Sequence, residues 1–571
     1  MPTRYLRRST SPFTVARQSF AALLALAAGA AYAIAGSTDT SFAAGVGRYA
    51  FNFNNSAAQE ARALAVQQDG KIIIVGGCHN GIDSDFCIAR LTANGALDTT
   101  FVGPQGNAGG KFLLPIGDGN DGAVAVAVQP DGRIIVAGTC TVGAVNKFCL
   151  ARLQGDGSLD TSFNGPDAAG TGEGNGQGRF SFGVAGSGPE SLVALALQPD
   201  GKILVAGTCS PTGVSLFCLA RLNASGSFDS SFNGPDAAGT GAGAGHGRFA
   251  LAVGGGHNAA SAMTLQADGK IIVVGSCQNG ATAVDFCAVR LMAADGRFDL
   301  FFDGGDNIVT LNGNGKVLMP ITSGSSNDFA STVAIRPDGM IYIVGSCWNG
   351  SNYDFCGTRL EQGSGRRMIF YGTGFNGFAQ PVGTGDDFAT GLLFQTDGKF
   401  IITGQCQNGS VYQFCAARFH ADGGLDVSFD GGVLNGASSI LLPPILADDR
   451  ANASALQVSA TVSGSSNYRT EYRLLLTGKC TQGSISFFCV TRLLLGDNGA
   501  QQCALDIDGD GRLLATVDGL IATRLMLGIR GPAVIAGITF PASATRSNWP
   551  AIQRYLSSQC GAVLSPDLAA Q

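Results

Sequence analysis

The chain has 571 residues, of which 45% are hydrophobic, 14% are charged and 84 are glycine. This share of apolar residues excludes an intrinsically disordered chain, and glycine at roughly twice its usual share excludes a helical bundle, because glycine destabilises helices. The formal net charge of −6 argues against nucleic acid as a partner.

The first 35 residues have the pattern of an export signal. Four arginines up to Arg17 precede an apolar stretch from Phe20 to Ala31, and residues 31–35 contain A-x-A cleavage sites. The stretch is shorter than the ~20 residues that a membrane span needs. We therefore expect a signal peptide at 1–35, no transmembrane anchor after its cleavage, and a protein that is secreted, periplasmic or at the cell surface.

After the leader, one sequence unit recurs seven times, about every 67 residues. In the first copy, residues 63–66 alternate as on a pleated strand, Asp69-Gly70 is typical of a tight turn, and residues 72–76 form an apolar run typical of a strand buried on both faces. Residues 86–91 are the third predicted strand, and Gly-Arg-Phe at 178–180 begins the fourth in the second copy. Each unit is therefore predicted to hold four short strands.

Each unit also contains two cysteines, separated by nine residues in six copies and by ten in the other. Four of the pairs enclose Asn-Gly, a strong turn signal, so we expect the two cysteines to face each other on adjacent strands within disulfide range. Metal binding is the alternative, but each unit holds only two cysteines and the chain has only four histidines. The predicted disulfides are Cys78–Cys87, Cys140–Cys149, Cys209–Cys218, Cys277–Cys287, Cys347–Cys356, Cys406–Cys415 and Cys480–Cys489, with Cys503–Cys560 in the C-terminal segment.

Two fragments at the ends of the repeat region complement each other. Residues 39–49 contain the tail of a repeat without its head, and the seventh copy ends at 491–493 without that tail. If the early fragment completes the last sheet, the units close into a ring that leaves no sheet edge exposed. We therefore predict an all-β fold, a seven-bladed β-propeller of four-stranded blades at 36–499, rather than a linear array of domains.

The pattern Asp-Gly-Lys-Ile-x-Val-x-Gly … Ala-Arg-Leu … Gly-x-Leu-Asp-x-Ser-Phe resembles the bacterial delta-60 repeat family over 39–499. The resemblance implies a β-propeller and an exported setting, and it implies no known activity. The fifth copy lacks Leu-Asp-x-Ser-Phe and the seventh lacks Asp-Gly-Lys, so we expect irregular blades there.

An arginine follows the second cysteine in every copy. One interpretation is a ring of positive charge that catches an anion at the channel. The other is a repeated salt bridge or hydrogen bond to the aspartate that follows in the same copy, which is favoured because residues shared by every blade usually stabilise the blade. The arginines are Arg90, Arg152, Arg221, Arg290, Arg359, Arg418 and Arg492, and the aspartates are Asp98, Asp160, Asp229, Asp299 and Asp426.

Residues 500–571 differ from the repeats and begin with a calcium-loop pattern. Alternating aspartates before a glycine place hard oxygens around an ion, and the segment from residue 518 has the pattern of an amphipathic helix. A turn cluster without metal is the alternative. The module resembles half of a dockerin, which implies a cohesin-type partner, although the second loop of a dockerin is missing here. The predicted Ca²⁺ ligands are Asp506, Asp508, Asp510, Arg512 through its carbonyl, and Asp518.

No catalytic motif is evident in the chain, which has no Gly-x-Ser-x-Gly, His-Glu-x-x-His or Walker sequence. The sequence therefore predicts an exported, calcium-binding, disulfide-stabilised β-propeller that acts as a binding or structural protein for an unknown extracellular ligand or protein. The alternatives are an extracellular polysaccharide-degrading enzyme with a dockerin-like tag, and a cell-surface adhesin.

Overall fold

The computed structural model describes residues 35–54, 58–104, 106, 109–167, 174–236, 243–280, 283–304, 315–321, 327–368, 377–429, 439–442, 448–463, 467–495, 503–504, 507–508, 516–526, 531–541, 544, 546–549 and 551–552. The predicted signal peptide lies outside these residues except for Ala35. No helix in the described part of the chain has both the length and the apolarity that crossing a membrane requires.

Seven antiparallel sheets form the blades of a β-propeller, as the sequence predicts. The inner strands of blades 1 to 7 are β2 (Gln59–Val66), β6 (Asp121–Val128), β10 (Glu190–Leu197), β14 (Asn258–Leu265), β18 (Asp328–Ile335), β23 (Asp387–Phe394) and β27 (Asp448–Ser463). The second strands are β3 (Ile72–His79), β7 (Ile134–Val142), β11 (Ile203–Cys209), β15 (Ile271–Asn279), β19 (Ile341–Trp348), β24 (Phe400–Asn408) and β28 (Asn467–Gln482).

The outer half of each blade completes the four strands. The third strands are β4 (Ser84–Leu91), β8 (Val145–Leu153), β12 (Leu216–Leu222), β16 (Ala283–Leu291), β20 (Tyr353–Leu360), β25 (Val411–Phe419) and β29 (Ile485–Leu494). The outer strands are β5 (Lys111–Leu114), β9 (Arg179–Phe182), β13 (Arg248–Leu251), β17 (Lys316–Met319), β22 (Gly377–Gln380), β26 (Ser439–Leu441) and, in blade 7, β1 (Arg48–Phe51).

The ring closes as the terminal fragments predict. β1 pairs antiparallel with β29, with Arg48 opposite Thr491 and Phe51 opposite Phe488. The inner strand of each blade contacts that of the next, and β27 contacts β2. Residues from the start of the described chain therefore supply the outer strand of the seventh sheet, and blade 7 packs against blade 1 to close the ring.

The hydrophobic core lies between the blades. Between blades 1 and 2, for example, Val75 and Phe86 pack with Ile134 and Val136, and all four are fully buried. The apolar second strands are buried on both faces for this reason. Gly138 fits the same interface because a Cβ there would lie 2.1 Å from the carbonyl oxygen of Gly122 and 2.8 Å from the ring of Phe86.

Seven disulfides cross from the second to the third strand, one in each blade. The expectation that the two cysteines face each other is wrong in detail: Cys78 lies opposite Asp85, and Cys87 lies opposite Gly76. The bridge is therefore diagonal, with the Cα atoms 5.8 Å apart. The strong twist of a narrow sheet shortens one diagonal, which brings this pair within disulfide range.

The repeated arginines stabilise the junctions between blades. The Nε–H of Arg221 donates to Asp229 (2.8 Å), and its guanidinium lies 4.4 Å over the ring of Phe232. Arg221 also donates to the carbonyl of Ala293 in the next blade, and Lys202 lies 3.1 Å from Asp229. We call this arrangement the latch. It accounts for the Asp-Gly-Lys and Leu-Asp-x-Ser-Phe motifs together.

The described residues hold six latches of this form, and the one at Arg492 uses Asp39 and reaches the carbonyl of Ala93 in blade 1. The favoured salt-bridge interpretation of the arginines is therefore confirmed at these positions. The six arginine–aspartate pairs are Arg90–Asp98, Arg152–Asp160, Arg221–Asp229, Arg290–Asp299, Arg418–Asp426 and Arg492–Asp39.

Blades 5 and 7 are irregular, as their sequences predict. In blade 5, Met340 and Met368 replace the lysine and the aspartate of the latch, and the outer edge is divided between β21 (Arg367–Met368) and β22. In blade 7, β27 and β28 form a hairpin of two 16-residue strands, and β30 (Cys503–Ala504) pairs with β28. Beyond β30 the described residues include one α-helix, α1 (Asp518–Met526), and a 3₁₀ helix (Gly531–Ile535).

Candidate functional site

One end of the ring carries a circle of buried polar side chains that sequence reasoning missed. We call this end, where the inner and third strands begin, the upper face. The residue of each inner strand that pairs with the first cysteine of its blade is almost fully buried there. It usually accepts hydrogen bonds from the backbone of the preceding loop; Asp387, for example, accepts from the N–H groups of Val382 (2.6 Å) and Gly383 (2.9 Å). The sequence signal is a spacing of ten residues before each Asp-Gly turn in blades 1 to 6. The circle comprises Gln59, Asp121, Glu190, Asn258, Asp328, Asp387 and Asp449.

The residue that follows each of these breaks the sevenfold repeat, and we call these seven positions the rim. In blades 2 to 4 the rim residues are small: Gly122, Ser191 and Ala259. In blades 5, 6, 7 and 1 they are Phe329, Phe388, Arg450 and Glu60. One half of the upper face around the channel is therefore aromatic and charged, and the other half presents little side chain.

The large half of the rim continues into a row of aromatic rings, which we call the aromatic strip. Its members are Phe329, Trp348, Tyr353, Phe388 and Tyr412. Tyr353 is the centre, with ring centroids 5.8 Å from Phe329, 5.2 Å from Trp348 and 5.8 Å from Phe388. Phe388 then lies 6.3 Å from Tyr412, and the guanidinium of Arg450 stacks 4.4 Å over Tyr412. The strip spans blades 5 and 6 and ends at blade 7.

Two carboxylates accept hydrogen bonds from the backbone of residues in the strip. The Oδ1 atoms of Asp386 and Asp448 accept the backbone N–H groups of Tyr353 (3.0 Å) and Tyr412 (2.9 Å), which connects each blade to the previous one. Asn349, the asparagine of the Asn-Gly turn in blade 5, donates to Asp354 (2.8 Å). The asparagine of the turn therefore helps to position the start of the third strand.

Two groups at the strip, Asp387 and Tyr412, have raised pKa values. Burial, together with the negative charges of Asp354 and Asp386, raises the pKa of Asp387 to about 6, although the hydrogen bonds from Val382 and Gly383 lower it. Burial, followed by the charge of Asp386, also raises the pKa of Tyr412. The strip therefore has acidic neighbours, and Arg450 pairs with one of them, Asp448, at 3.3 Å.

A polar cavity of about 400 Å³ lies on the same face at blades 7, 1 and 2. The cavity forms where two glycines, Gly77 and Gly122, stand at positions that carry side chains in other blades. Blades 2 to 5 place a threonine or serine hydroxyl near the end of the second strand, and Thr139, for example, accepts the N–H of Leu192 in the next blade (3.0 Å). Blade 1 has Gly77 instead, opposite Gly122. The charged residues in the lining are Glu60, Arg62, Asp121 and Lys479.

The predicted calcium site is described only in part. Asp506, Asp510 and Arg512 lie outside the described residues, whereas Asp508 and Asp518 are both buried. The Oδ1 atom of Asp518, at the start of α1, accepts the N–H groups of Ile507 (2.6 Å) and Asp508 (3.2 Å). The two ends of the predicted loop therefore meet, over a small core that includes Ile521 and Trp549.

The partner cysteine of the predicted eighth disulfide, Cys560, and the side chain of Cys503 also lie outside the described residues. Within the described part of the chain, no three histidine, cysteine or carboxylate side chains cluster in a way that would hold a metal ion. Three of the five predicted calcium ligands, Asp506, Asp510 and Arg512, lie outside that part of the chain.

Five segments of the chain match a family model described as a domain of unknown function (DUF5122) beta-propeller, at residues 67–101, 129–163, 198–232, 266–302 and 395–429. Each segment runs from the turn after the inner strand to the phenylalanine of the latch, in blades 1 to 4 and 6. The repeats therefore fit a propeller repeat family, and the two irregular blades are those outside the matched segments.

Solved structures resemble the chain only remotely. The polysaccharide lyase Uly1 is 11% identical with a TM-score of 0.39, over 78% of this chain and 92% of its own. A protein of unknown function from Dyadobacter fermentans DSM 18053 is 10% identical with a TM-score of 0.33, over 79% and 98%. Sqt1 from Chaetomium thermophilum is 11% identical with a TM-score of 0.35, over 79% and 98%. Likenesses this remote carry nothing about function, and no curated protein matches the chain.

Proposed function

We propose that this protein is an exported, disulfide-stabilised β-propeller that acts by binding, and that it holds an extracellular ligand or protein on the aromatic and charged half of its upper face. The asymmetry of the rim carries this proposal. Structural requirements repeat in every blade, whereas Phe329, Phe388, Arg450 and Glu60 occupy positions that blades 2 to 4 fill with small residues. Half-exposed aromatic side chains with nearby polar groups are typical of binding surfaces.

Export is part of the proposal because disulfides form and persist in oxidising compartments. Seven bridges lie within the described blades, and the pattern of residues 1–35 supplies a route out of the cytoplasm. We further propose that the C-terminal residues bind Ca²⁺, with the closure of Asp518 on residues 507 and 508 as the support. In this view the module attaches the propeller to a partner, and a cohesin-type partner is one candidate.

An enzyme that degrades polysaccharides is the second candidate, and Asp387 is the observation that favours it. A carboxyl group with a pKa near 6 suits general acid or base catalysis. However, Asp387 is fully buried, and its oxygens accept backbone N–H groups. A group without contact to solvent transfers no proton to a ligand, so binding without chemistry is the better supported function.

The test compares the mature protein with a variant whose rim is uniformly small: Glu60→Ala, Phe329→Ala, Phe388→Ser and Arg450→Ser. Both proteins are applied to an array of immobilised polysaccharides, peptidoglycan and matrix proteins. We expect the wild type to retain at least one ligand that the variant loses, while both keep the same circular dichroism spectrum. Equal binding by both proteins, or binding to nothing on the array, would refute the proposal.

The same panel decides between binding and catalysis. Shortened products released by the wild type, and abolished by Asp387→Asn, would establish the enzyme instead. For the calcium proposal, titration of the full chain should reveal a site that Asp508→Ala weakens; no binding at millimolar Ca²⁺ would overturn it.

A further inference from the structure

The aromatic strip constrains the chemistry of the ligand, which takes the proposed function one step further. Phe329, Tyr353, Phe388 and Tyr412 follow one another at centroid separations of 5.8 to 6.3 Å across two blades, and Trp348 lies beside this row, 5.2 Å from Tyr353. A compact ligand would need a pocket, whereas a row of rings suits an extended chain with regularly spaced apolar faces. Phe329 is 38% exposed, and the other rings of the strip are partly exposed, so a ligand can lie along the row.

Polar groups border the rings on the same face. Asn349 and Asn352 belong to the turn before Tyr353, Asp386 precedes the inner strand of blade 6 and accepts the N–H of Tyr353, and Asp448 accepts the N–H of Tyr412. Carboxylate and amide oxygens accept hydrogen bonds from hydroxyl groups, and ring faces accept the C–H groups of a saccharide. A sugar ring has an apolar C–H face and an edge of hydroxyls, so its chemistry matches both features of this surface.

The charge of the surface selects among saccharides. Asp354, Asp386, Asp387 and Asp448 adjoin or contact residues of the strip, and Arg450 is engaged with Asp448 and with the ring of Tyr412. Polymers that carry uronate or sulfate groups would meet like charge, which is unfavourable at an interface. Neutral and amino sugars meet no such penalty.

We propose that the aromatic strip binds a glycan chain without acid groups, laid along Phe329, Tyr353, Phe388 and Tyr412. This inference rests on the proposed function, because it assigns the ligand of the same face. The chain has two tryptophans, Trp348 in the strip and Trp549 in the C-terminal core, so intrinsic fluorescence reports on the strip directly.

The experiment titrates the mature full-length protein with cello-oligosaccharides, manno-oligosaccharides and chitosan oligosaccharides, and with alginate and heparin fragments of matched length. Binding is followed by tryptophan emission and by calorimetry. We expect at least one acid-free series to bind, with affinity that rises with chain length until the strip is covered, and the acidic series to bind at least tenfold more weakly. Trp348→Phe should remove the emission change and leave the calorimetric binding.

Matched variants locate the site. Phe388→Ala should weaken binding about tenfold, and Phe329→Ser provides a second test on a more exposed ring. Phe301→Ala is the control, because Phe301 is 82% exposed and lies outside the upper face. Preference for the acidic series, or glycan binding that neither strip variant weakens, would overturn the inference. If a ligand that is not a glycan binds and Phe388→Ala weakens it, the glycan assignment fails while the proposed function stands; if no ligand depends on the rim, both fail.

Discussion

The latch makes a quantitative prediction at Asp229. Burial by itself would raise the pKa of this carboxyl, but hydrogen bonds from Ser231 and Lys202 and the charge of Arg221 lower it from 3.8 to about 2. This shift corresponds to about 2 kcal/mol of stability at neutral pH. Asp229→Asn also leaves Arg221, which is 1% exposed, without its counter-charge, and such losses cost about 3–5 kcal/mol. The two figures describe the same interaction and are not added, so we expect the free energy of unfolding to fall by about 2–5 kcal/mol.

The pH dependence has a definite sign. Because the folded-state pKa lies below the unfolded value, the contribution of Asp229 is complete above pH 4 and is lost as the pH falls towards 2; about half is gone at pH 3. Asp229→Asn should therefore destabilise the protein strongly at pH 6 and much less at pH 3. Urea unfolding with intact disulfides, followed by circular dichroism, measures the difference at each pH.

A matched control separates the latch from an ordinary surface pair. Asp200 pairs with Lys202 at 3.4 Å, but its side chain is 54% exposed. Exposed pairs contribute about 0–1 kcal/mol, so Asp200→Asn should change stability by less than that. The reasoning fails if the two variants are equally stable, or if the effect of Asp229→Asn is the same at pH 3 and pH 6.

Three further predictions follow from the packing and the buried charges. Gly345→Ala should destabilise the protein by more than about 2 kcal/mol in urea titrations, since a Cβ there would lie 1.9 Å from the carbonyl oxygen of Phe329, while Gly255→Ala, with open space around it, should not. Replacing both Cys347 and Cys356 by serine opens a loop with a sequence separation of nine and should lower the unfolding free energy by roughly 2.5–3 kcal/mol, and an unchanged urea midpoint would contradict this estimate. The raised pKa of Asp387, about 6, has the opposite sign to that of Asp229: its contribution is present below pH 4 and up to about 3 kcal/mol is lost as the pH rises through 6, so Asp387→Asn should flatten the decline in stability between pH 4 and 7, and parallel pH profiles would exclude this origin.

The parts of the fold that could be predicted from the sequence are those that repeat. The Asp-Gly turn, the cysteine pair and the arginine recur in register, and the tail at residues 39–49 is recognisable because it matches a part of the repeat. The diagonal geometry of the disulfides could not be predicted in this way, since it depends on the twist of the sheet, which spacing does not encode. The circle of buried polar side chains was missed although its spacing is constant in blades 1 to 6, because its residue types vary among aspartate, glutamate, asparagine and glutamine.

The aromatic strip could not be predicted for a different reason. Phe329 and Tyr412 are separated by more than one repeat, and nothing in the local sequence marks them as neighbours. Their proximity follows only from the ring, which places the rim residues of successive blades side by side. The position of a residue within the repeat is therefore the useful signal. The residue type at a rim position can change from blade to blade without disturbing the latch or the disulfide.

Blade 5 shows how the demands of the latch and of the aromatic strip are balanced. It has neither the lysine nor the aspartate of the latch, so the ion pairs that these two residues make in other blades are missing, and its outer edge is divided. The same blade supplies three of the five rings of the strip: Phe329, Trp348 and Tyr353. Sequences tend to break a structural rule where function requires it and to compensate elsewhere. The compensation here is the closed ring itself, because a blade held by neighbours on both sides tolerates a weaker junction that an open array would not.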